Sequence, residues 1–495
     1  GFGSSPVDLG DLNYQTYDNL RLVSNLNCDS GDCPTLNDWT LAWSPGLEVS
    51  GTAHEYNQTA STTSGTVAVA VNGTLQSGKT GTISNGEWNI QNVIIFPDDI
   101  LTVFIDGAAD ANEAVAVSKY DGLGDIEGIQ LFERHLSIGS DDNQIITNAD
   151  LALFDNSVSG DEDIFHDVDG GNDLTACDLA GCGDVEIWIK ADNTYKPDSA
   201  GAGDVSTHDI EINGTLDADG NTISVSGSWD NNATSSADTS TIIFTATTTT
   251  ETVDSTGAVV SSFNDVEFGQ GSGSATWDLI TALDVNGTLD INFGTLNQNG
   301  NNAINIAKTL TIGSSGQFTK GTATTTFDGS DAANWTDNTS PKQDLGIVVI
   351  EGVTKTVTLG ADARATDVVI GANDTLSAGS DRTLEIISNF TNNNVFTAQN
   401  GTVLFTATTS GKTITPGSSS FYNVTFQGEG GNWSFTNPNT TVTNDFSIAT
   451  GTVTLPAATT TVGGSFSNSD TFVHNNGSIL FNSSSAETIT ASTSP

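Results

Sequence analysis

Residues 242–249 read IIFTATTT and residues 403–409 read VLFTATT, and between and beyond them TTFDG (325–329) and ILFNS (479–483) repeat the same pattern in shorter form. Taking Phe244, Phe327, Phe405 and Phe481 as markers, the pattern returns at nearly even intervals that shorten slightly toward the C-terminal end. A second phrase follows each of the first three markers at an almost constant distance: Phe263-Asn264-Asp265-Val266-Glu267-Phe268, Leu345-Gly346-Ile347-Val348-Val349-Ile350, and Tyr422-Asn423-Val424-Thr425-Phe426. A third stands ahead of a marker: GSWDNNATS from Gly227, SNFTNNNVF from Ser388 and GSFSNSDTF from Gly464. Each phrase is a short alternating apolar strand closed by a Gly or Asn turn. Period-two alternation with β-branched and aromatic residues is the pattern of a half-buried strand. Self-similarity at a fixed interval is the signature of a repeat architecture.

Composition agrees. Thr and Val suit strands, and the 52 glycines and abundant Asn suit turns. No 3.6-residue apolar period runs through the chain, so the expected fold is all-β. A unit of about 80 residues has room for roughly eight short strands with their turns. Two architectures fit: a parallel β-solenoid, in which each coil stacks on the last, and a string of Ig-like β-sandwiches with separate cores. Short strands, Asn-rich turns such as Asn299–Asn302 and Asn392–Asn394, and few large apolar residues per unit favour the solenoid. Asn at equivalent turns can stack in ladders along its axis.

The N-terminal half carries further matches. CDSGDCPTLNDW (Cys28 to Trp39) resembles CDLAGCGDVEIW (Cys177 to Trp188), and Asn72-Gly73-Thr74-Leu75 resembles Asn213-Gly214-Thr215-Leu216. Residues 1–88 therefore read as a Cys-containing module with a second copy at 177–241. An acidic, β-rich, sandwich-like insert lies between them at 89–176, where VIIFPDDILTVFIDG (Val93 to Gly107) reads as two strands and a turn. Repeats follow at 242–324, 325–402 and 403–478, and 479–495 opens another, so both ends read as falling within a repeat of a longer chain.

The pairs Cys28/Cys33 and Cys177/Cys182 lack zinc-ligand spacing and fit two short disulfide loops in an oxidising compartment, each contributing about 2 kcal/mol. Lys plus Arg number 13 against 61 acidic residues, a formal net charge of −48. Such a surface repels nucleic acid and anionic membranes, and no apolar run is long enough to span a bilayer.

These phrases, with NGTLDINFGTL (286–296), SFYNVTFQG (420–428) and the stretch from Lys119 to Leu151, resemble the large secreted β-strand repeat surface proteins of bacteria. The resemblance spans essentially the whole chain. It implies an adhesin, sheath or surface-layer component of the cell exterior that contacts copies of itself and, as a further partner class, glycans. It implies no reaction. The structural reading is a polymer forming or decorating a filament, sheath or layer; the alternatives are an adhesin stalk and a β-helix polysaccharide enzyme.

No catalytic constellation supports the enzyme. Arg21, Arg134, Arg364 and Arg382 occupy non-equivalent repeat positions, and His54, His135, His166, His208 and His474 are isolated. The best expected site is for Ca²⁺, which takes six to eight hard oxygen ligands. Asp161, Asp163, Asp167, Asp169 and Asp173 crowd one Gly-containing turn, and Asp106 and Asp110 form a second group with Asn112 and Glu113. Solvated acidic loops are the competing reading. Asn72, Asn213 and Asn286 head N-x-Thr sequons open to glycans in a secreted protein. Trp88, Trp188, Trp229, Trp277, Trp335 and Trp433 read as core residues rather than sugar platforms.

Overall fold

The computed structural model describes residues 46–140, 143–176, 185–198, 203–236, 238–255 and 262–491. Cys28, Cys33, Cys177 and Cys182 lie outside the described residues.

The chain enters through eight strands: β1 (Leu47–His54), β2 (Thr66–Val71), β3 (Thr74–Thr82), β4 (Glu87–Val93), β5 (Ile100–Asp106), β6 (Val115–Lys119), β7 (Ile126–Phe132) and β8 (His135–Ile138). β1 pairs antiparallel with β4 and parallel with β7. β2 pairs antiparallel with β3 and β5, and β5 with β6. The two sheets enclose a small core that includes Val49, Val67, Val69, Ile90, Leu101, Val103 and Ile129. The other face of β2, β5 and β6 contributes Ala68, Ala70, Phe104, Val115 and Val117 to a second, much larger core. This sheet is thus buried on both sides, which is why TVAVAV and ILTVFID lack polar alternation.

β6 is the switch. Antiparallel to β5 on one edge, it pairs parallel with β8 on the other, and β8 pairs parallel with the strand Glu186–Ile189. From there the chain forms a parallel β-solenoid of about 17 turns. Between β8 and Glu186, α1 (Asn148–Leu151) and α2 (Asn156–Ser159) lead a segment that lays Leu151, Phe154, Ile164 and Phe165 against the large core. α1 is started by a capping box between Thr147 and Asp150. No helix of the described residues is long and apolar enough to cross a membrane.

Each solenoid turn has three strand positions, one on each of three faces. Val205–Thr207, Asp209–Ile212 and Thr215–Asp217 make one such turn, and each pairs with its successor: Thr222–Val225, Trp229–Asn231 and Thr234–Ser236. Turns vary in length: Val357 pairs with Leu376, whereas Val253 must reach further along the chain to its partner Leu279. Strands alternate inward-buried and outward half-buried residues, and in-register stacking sets like over like. Phe244 stacks on Phe268 (centroids 4.7 Å, 6° between planes), and Phe405 on Phe426 (5.2 Å, 13°), close to the strand spacing itself. One continuous core results, and the alternative of separate Ig-like sandwiches is not realised along these turns.

Corners between faces break the backbone ladders, and polar side chains repair them. Asp204, Asp265, Asp367 and Asp445 each accept, through Oδ1, from a backbone N–H one turn later: Thr222 (2.7 Å), Thr288 (2.6 Å), Asn389 (2.7 Å) and Ser465 (2.8 Å). Buried Asn231, Asn392 and Asn468 each accept from the N–H two residues on, at 3.1, 3.1 and 3.2 Å. All three lie two residues after the aromatic of the third phrase. Rather than stacking Asn on Asn, these side chains turn the chain locally. Part of the acidic character is therefore structural, because a carboxylate is a pure acceptor suited to orphan N–H groups.

The repeat and the turn are incommensurate. After the Phe244 strand the chain passes Thr250–Asp254, the Phe263 bridge, Asp265–Phe268, Thr276–Leu279, Leu283–Val285, both halves of Leu289–Asn297, Ile304–Ile306, both halves of Leu310–Thr319, and then Thr324–Phe327. That is eleven strand positions, where roughly eight strands are expected from length alone. The intervals to Phe405 and Phe481 also hold eleven. Since eleven is not a multiple of three, each marker falls on a different face from the last. Phe244 is on the first face, Phe327 on the third, Phe405 on the second and Phe481 again on the first. The single-residue bridges Phe263–Val285, Asp344–Arg364 and Phe421–Val442 recur at the second phrase and rotate in the same way.

The matched N-terminal phrases differ in structure. Asn72 and Gly73 form a hairpin between β2 and β3, with φ of 46° and 78°. Asn213 and Gly214 instead turn a corner between parallel strands, where a Cβ on Gly214 would collide with the carbonyl oxygens of Lys190 and Asn193. Antiparallel pairing already begins at β1 and β4, upstream of residue 89. The pair β2–β3 closes through the two-residue turn at Asn72 and Gly73, which parallel strands cannot use.

Candidate ligand cleft at the joint

The sandwich and the solenoid meet where β7 lies over the outward side of the second face. On Glu186–Ile189, Ile187 and Ile189 point into the solenoid core, so Trp188 between them points outward. It is nevertheless only 6% exposed. Phe132 at the end of β7 covers it, ring edge to ring face at 4.9 Å, and His54 at the end of β1 packs on Phe132 at 5.3 Å. Trp229, Trp277, Trp335 and Trp433 are inward and fully buried, as their strand positions predict.

Beside these rings opens a cleft of about 450 Å³, lined by His54, Gln58, Gln130, Phe132, Trp188, Lys190, Ala191, Glu211 and Asn213. Its polar groups are organised around Glu211. Gln58 Nε2 donates to Glu211 Oε2 at 2.6 Å, and Asn213 Nδ2 donates to Oε1 at 2.5 Å. Behind them, buried His135 donates through Nδ1 to the Glu133 carbonyl (2.7 Å), and its Nε2 lies 3.0 Å from Glu186 Oε2. Tyr56 at the rim is 5.2 Å from the His135 ring and donates to Asp209 Oδ2 at 3.3 Å. The buried atoms His54 Nδ1 and Trp188 Nε1 have no hydrogen-bond partner.

The electrostatics are acidic. Glu211 stacks in register with Asp230, and Asp230 with Asp254. Burial raises the Asp230 carboxyl above its ordinary range, and Glu211 and Asp254 add to the rise. Burial likewise raises Glu186, against the pull of His135 and with help from Glu211 and Asp209. Burial lowers the His54 imidazole below its ordinary value. The arrangement can hydrogen-bond hydroxyls and oppose anions.

Several of the carboxylates expected to hold Ca²⁺ accept hydrogen bonds from backbone N–H groups. Asp163 accepts from the backbone N–H groups of Gly107 (2.7 Å) and Ala108 (3.0 Å), and Asp161 Oδ1 from that of Asp163 (3.1 Å). Asp169 accepts from Gly171 (2.7 Å) and Asp173 (3.1 Å), and Asp173 from Asp204 N (2.9 Å). Asp167 lies on the short strand His166–Val168, Asp106 ends β5, and Asp110 opens a short 3₁₀ turn. Among the described residues, one group of three acidic or ligating side chains brings its oxygens within 4.8 Å of one another: Asp217, Asp219 and Asp238. Lys196 Nζ already sits 2.9 Å from both Asp217 and Asp219. Of the sequon residues, Asn72 bonds Asp99 (2.6 Å), Asn213 lines the cleft, and Asn286 is exposed and bonds Ser262 (2.7 Å). Buried Lys355 donates to the Ala307 carbonyl two turns away, an internal strut.

Sequence reasoning passed over Gln58, Gln130, Phe132, Lys190 and Glu211, which lie on separate segments with no motif. One signal was present: the parity of EIWI puts Trp188 outside. Comparisons with family models, curated proteins and solved structures found no match.

Proposed function

We propose that this chain is a structural rod of the cell exterior, which assembles with copies of itself into, or along, a filament, sheath or surface layer. The observation that carries the reading is the unbroken parallel stack with its single continuous core. Such a stack is quasi-one-dimensional, and its length grows by adding turns without redesigning the core. The rotation of the eleven-strand repeat supports the same role. Whatever surface a repeat carries is shown on each of the three faces in succession, which suits a rod with neighbours all round. The resemblance to secreted β-strand repeat proteins points to the same extracellular setting. In this reading Ca²⁺ acts as a counter-ion between acidic faces, because a net charge of −48 opposes lateral packing.

Electron microscopy of the purified chain, with millimolar Ca²⁺ and with a chelator, tests the proposal. End-to-end or side-by-side ordered rods, promoted by Ca²⁺, are expected. Isolated particles under both conditions, and no lattice or filament in the source material, would overturn it.

A further inference from the structure

We propose that the cleft at the joint is a saccharide-binding site that takes neutral pyranose units. The proposal does not rest on the structural role; a rod with or without lateral contacts could carry it.

Three features of the cleft point to this ligand class. Its volume of about 450 Å³ lies within the ordinary range for small-molecule sites, ~300–1,000 Å³. One wall is aromatic, formed by half-buried His54 with the small exposed parts of Phe132 and Trp188, and offers apolar contact to the C–H groups of a pyranose ring. The remaining wall is hydrogen-bonding: three carboxamides (Gln58, Gln130, Asn213) and the Glu211 carboxylate, with one cation, Lys190. Carboxamides and a carboxylate together offer both donors and acceptors, as vicinal hydroxyls require.

Position adds a further argument. Trp188 points away from the solenoid core and, unlike the tryptophans further along, lines the cleft. Trp229, Trp277, Trp335 and Trp433 in the solenoid face inward and are fully buried. Charge selects among sugars. Glu211 and Asp230 stack in register, with Glu186 and Asp209 alongside, so a uronic acid or sulfated sugar would meet carboxylates on entry. A neutral sugar meets acceptors already oriented by Gln58 and Asn213.

Calorimetric titration of the full chain with neutral hexasaccharides (β-1,4-glucan, β-1,4-mannan, α-1,4-glucan and N-acetylchitohexaose) and with hexagalacturonate tests this. At least one neutral sugar should bind saturably, with one site per chain, while hexagalacturonate should not. Gln58→Ala and Gln130→Ala should each weaken binding about tenfold, roughly 1.4 kcal/mol. Both are at least partly exposed, so circular dichroism and melting should match the parent chain; if one variant does not fold, the other still reads the site. Thr358→Ala, far along the solenoid, should leave affinity unchanged. No saturable binding of any neutral sugar, tighter binding of the anionic one, or binding that ignores both glutamine variants would overturn the proposal.

Discussion

The sandwich of β1–β7 and the solenoid are built from the same alphabet under two pairing rules. In the sandwich, β2 finds β3 across a two-residue turn and is buried on both faces. In the solenoid, strands find parallel partners one turn away, and a strand such as Thr241–Phe244 is buried on one side only. The tetrapeptide Asn-Gly-Thr-Leu serves both. At Asn72 it needs positive φ at two residues, as a tight hairpin does. At Asn213 it needs a missing Cβ because the turn below is close. A short phrase therefore reports local backbone requirements, and the partner is chosen by what lies at long range.

Removing one ring from the stack should have the largest effect. Phe268→Ala, between Phe244 and Trp277, should cost about 3–5 kcal/mol in chemical denaturation. Hydrogen exchange should place the loss in the solenoid and spare β1–β5; a loss spread evenly over both regions would contradict two separate cores.

Acid should act in opposite senses on the segment before the solenoid and on the solenoid turns. His166, fully buried beside α1, has its pKa lowered by burial to about 4, against an ordinary value of 6.5. The unfolded chain binds this proton first, so stability at His166 is lost as pH falls from about 6.5 to 4, by ~3 kcal/mol in full. Asp284, Asp290 and Asp328 in the solenoid have the opposite sign: burial foremost raises their pKa values. The folded state takes those protons first, so stability there rises as pH falls from neutral toward the raised values. Hydrogen exchange at pH 7 and pH 5 should show faster opening around His166 and slower opening around residues 284–328. His166→Leu should abolish the first effect alone.

Corner caps set a smaller difference. Asp265→Ala removes the acceptor for Thr288 N and Oγ1 and should cost about 1–2 kcal/mol, whereas Asp265→Asn should recover most of it. Equal losses in the two variants would show that charge, not acceptor geometry, is what this corner needs. Smallest is screening: raising NaCl from 0.15 to 1 M shortens the Debye length from ~8 to ~3 Å and should raise the melting temperature by a few degrees. Ca²⁺ should do so at millimolar concentration, and a chelator should reverse it; no response to Ca²⁺ would remove it from the proposed assembly.

Much of the fold was legible in the sequence. Strand positions followed from IIF, VLF and DVEF, because side-chain alternation is built into every extended backbone. The inward tryptophans followed from the same parity. The spacing of Phe244, Phe327, Phe405 and Phe481 was plain, but the shorter turn was hidden, because corner loops of unequal length change its period from one turn to the next. The cleft was not legible: Gln58, Gln130, Trp188 and Glu211 lie on four segments, joined only because β7 settles over the second face.

By itself, then, the sequence determined an all-β repeat chain with alternating strands, Gly and Asn turns and a strongly acidic surface. Those properties are local or additive, and a residue carries them wherever it stands. Long-range packing sets the rest: three strands make a turn, eleven make a repeat, and the markers circle the rod. Stacking is a choice among distant partners, settled by the register that buries all the apolar residues at once.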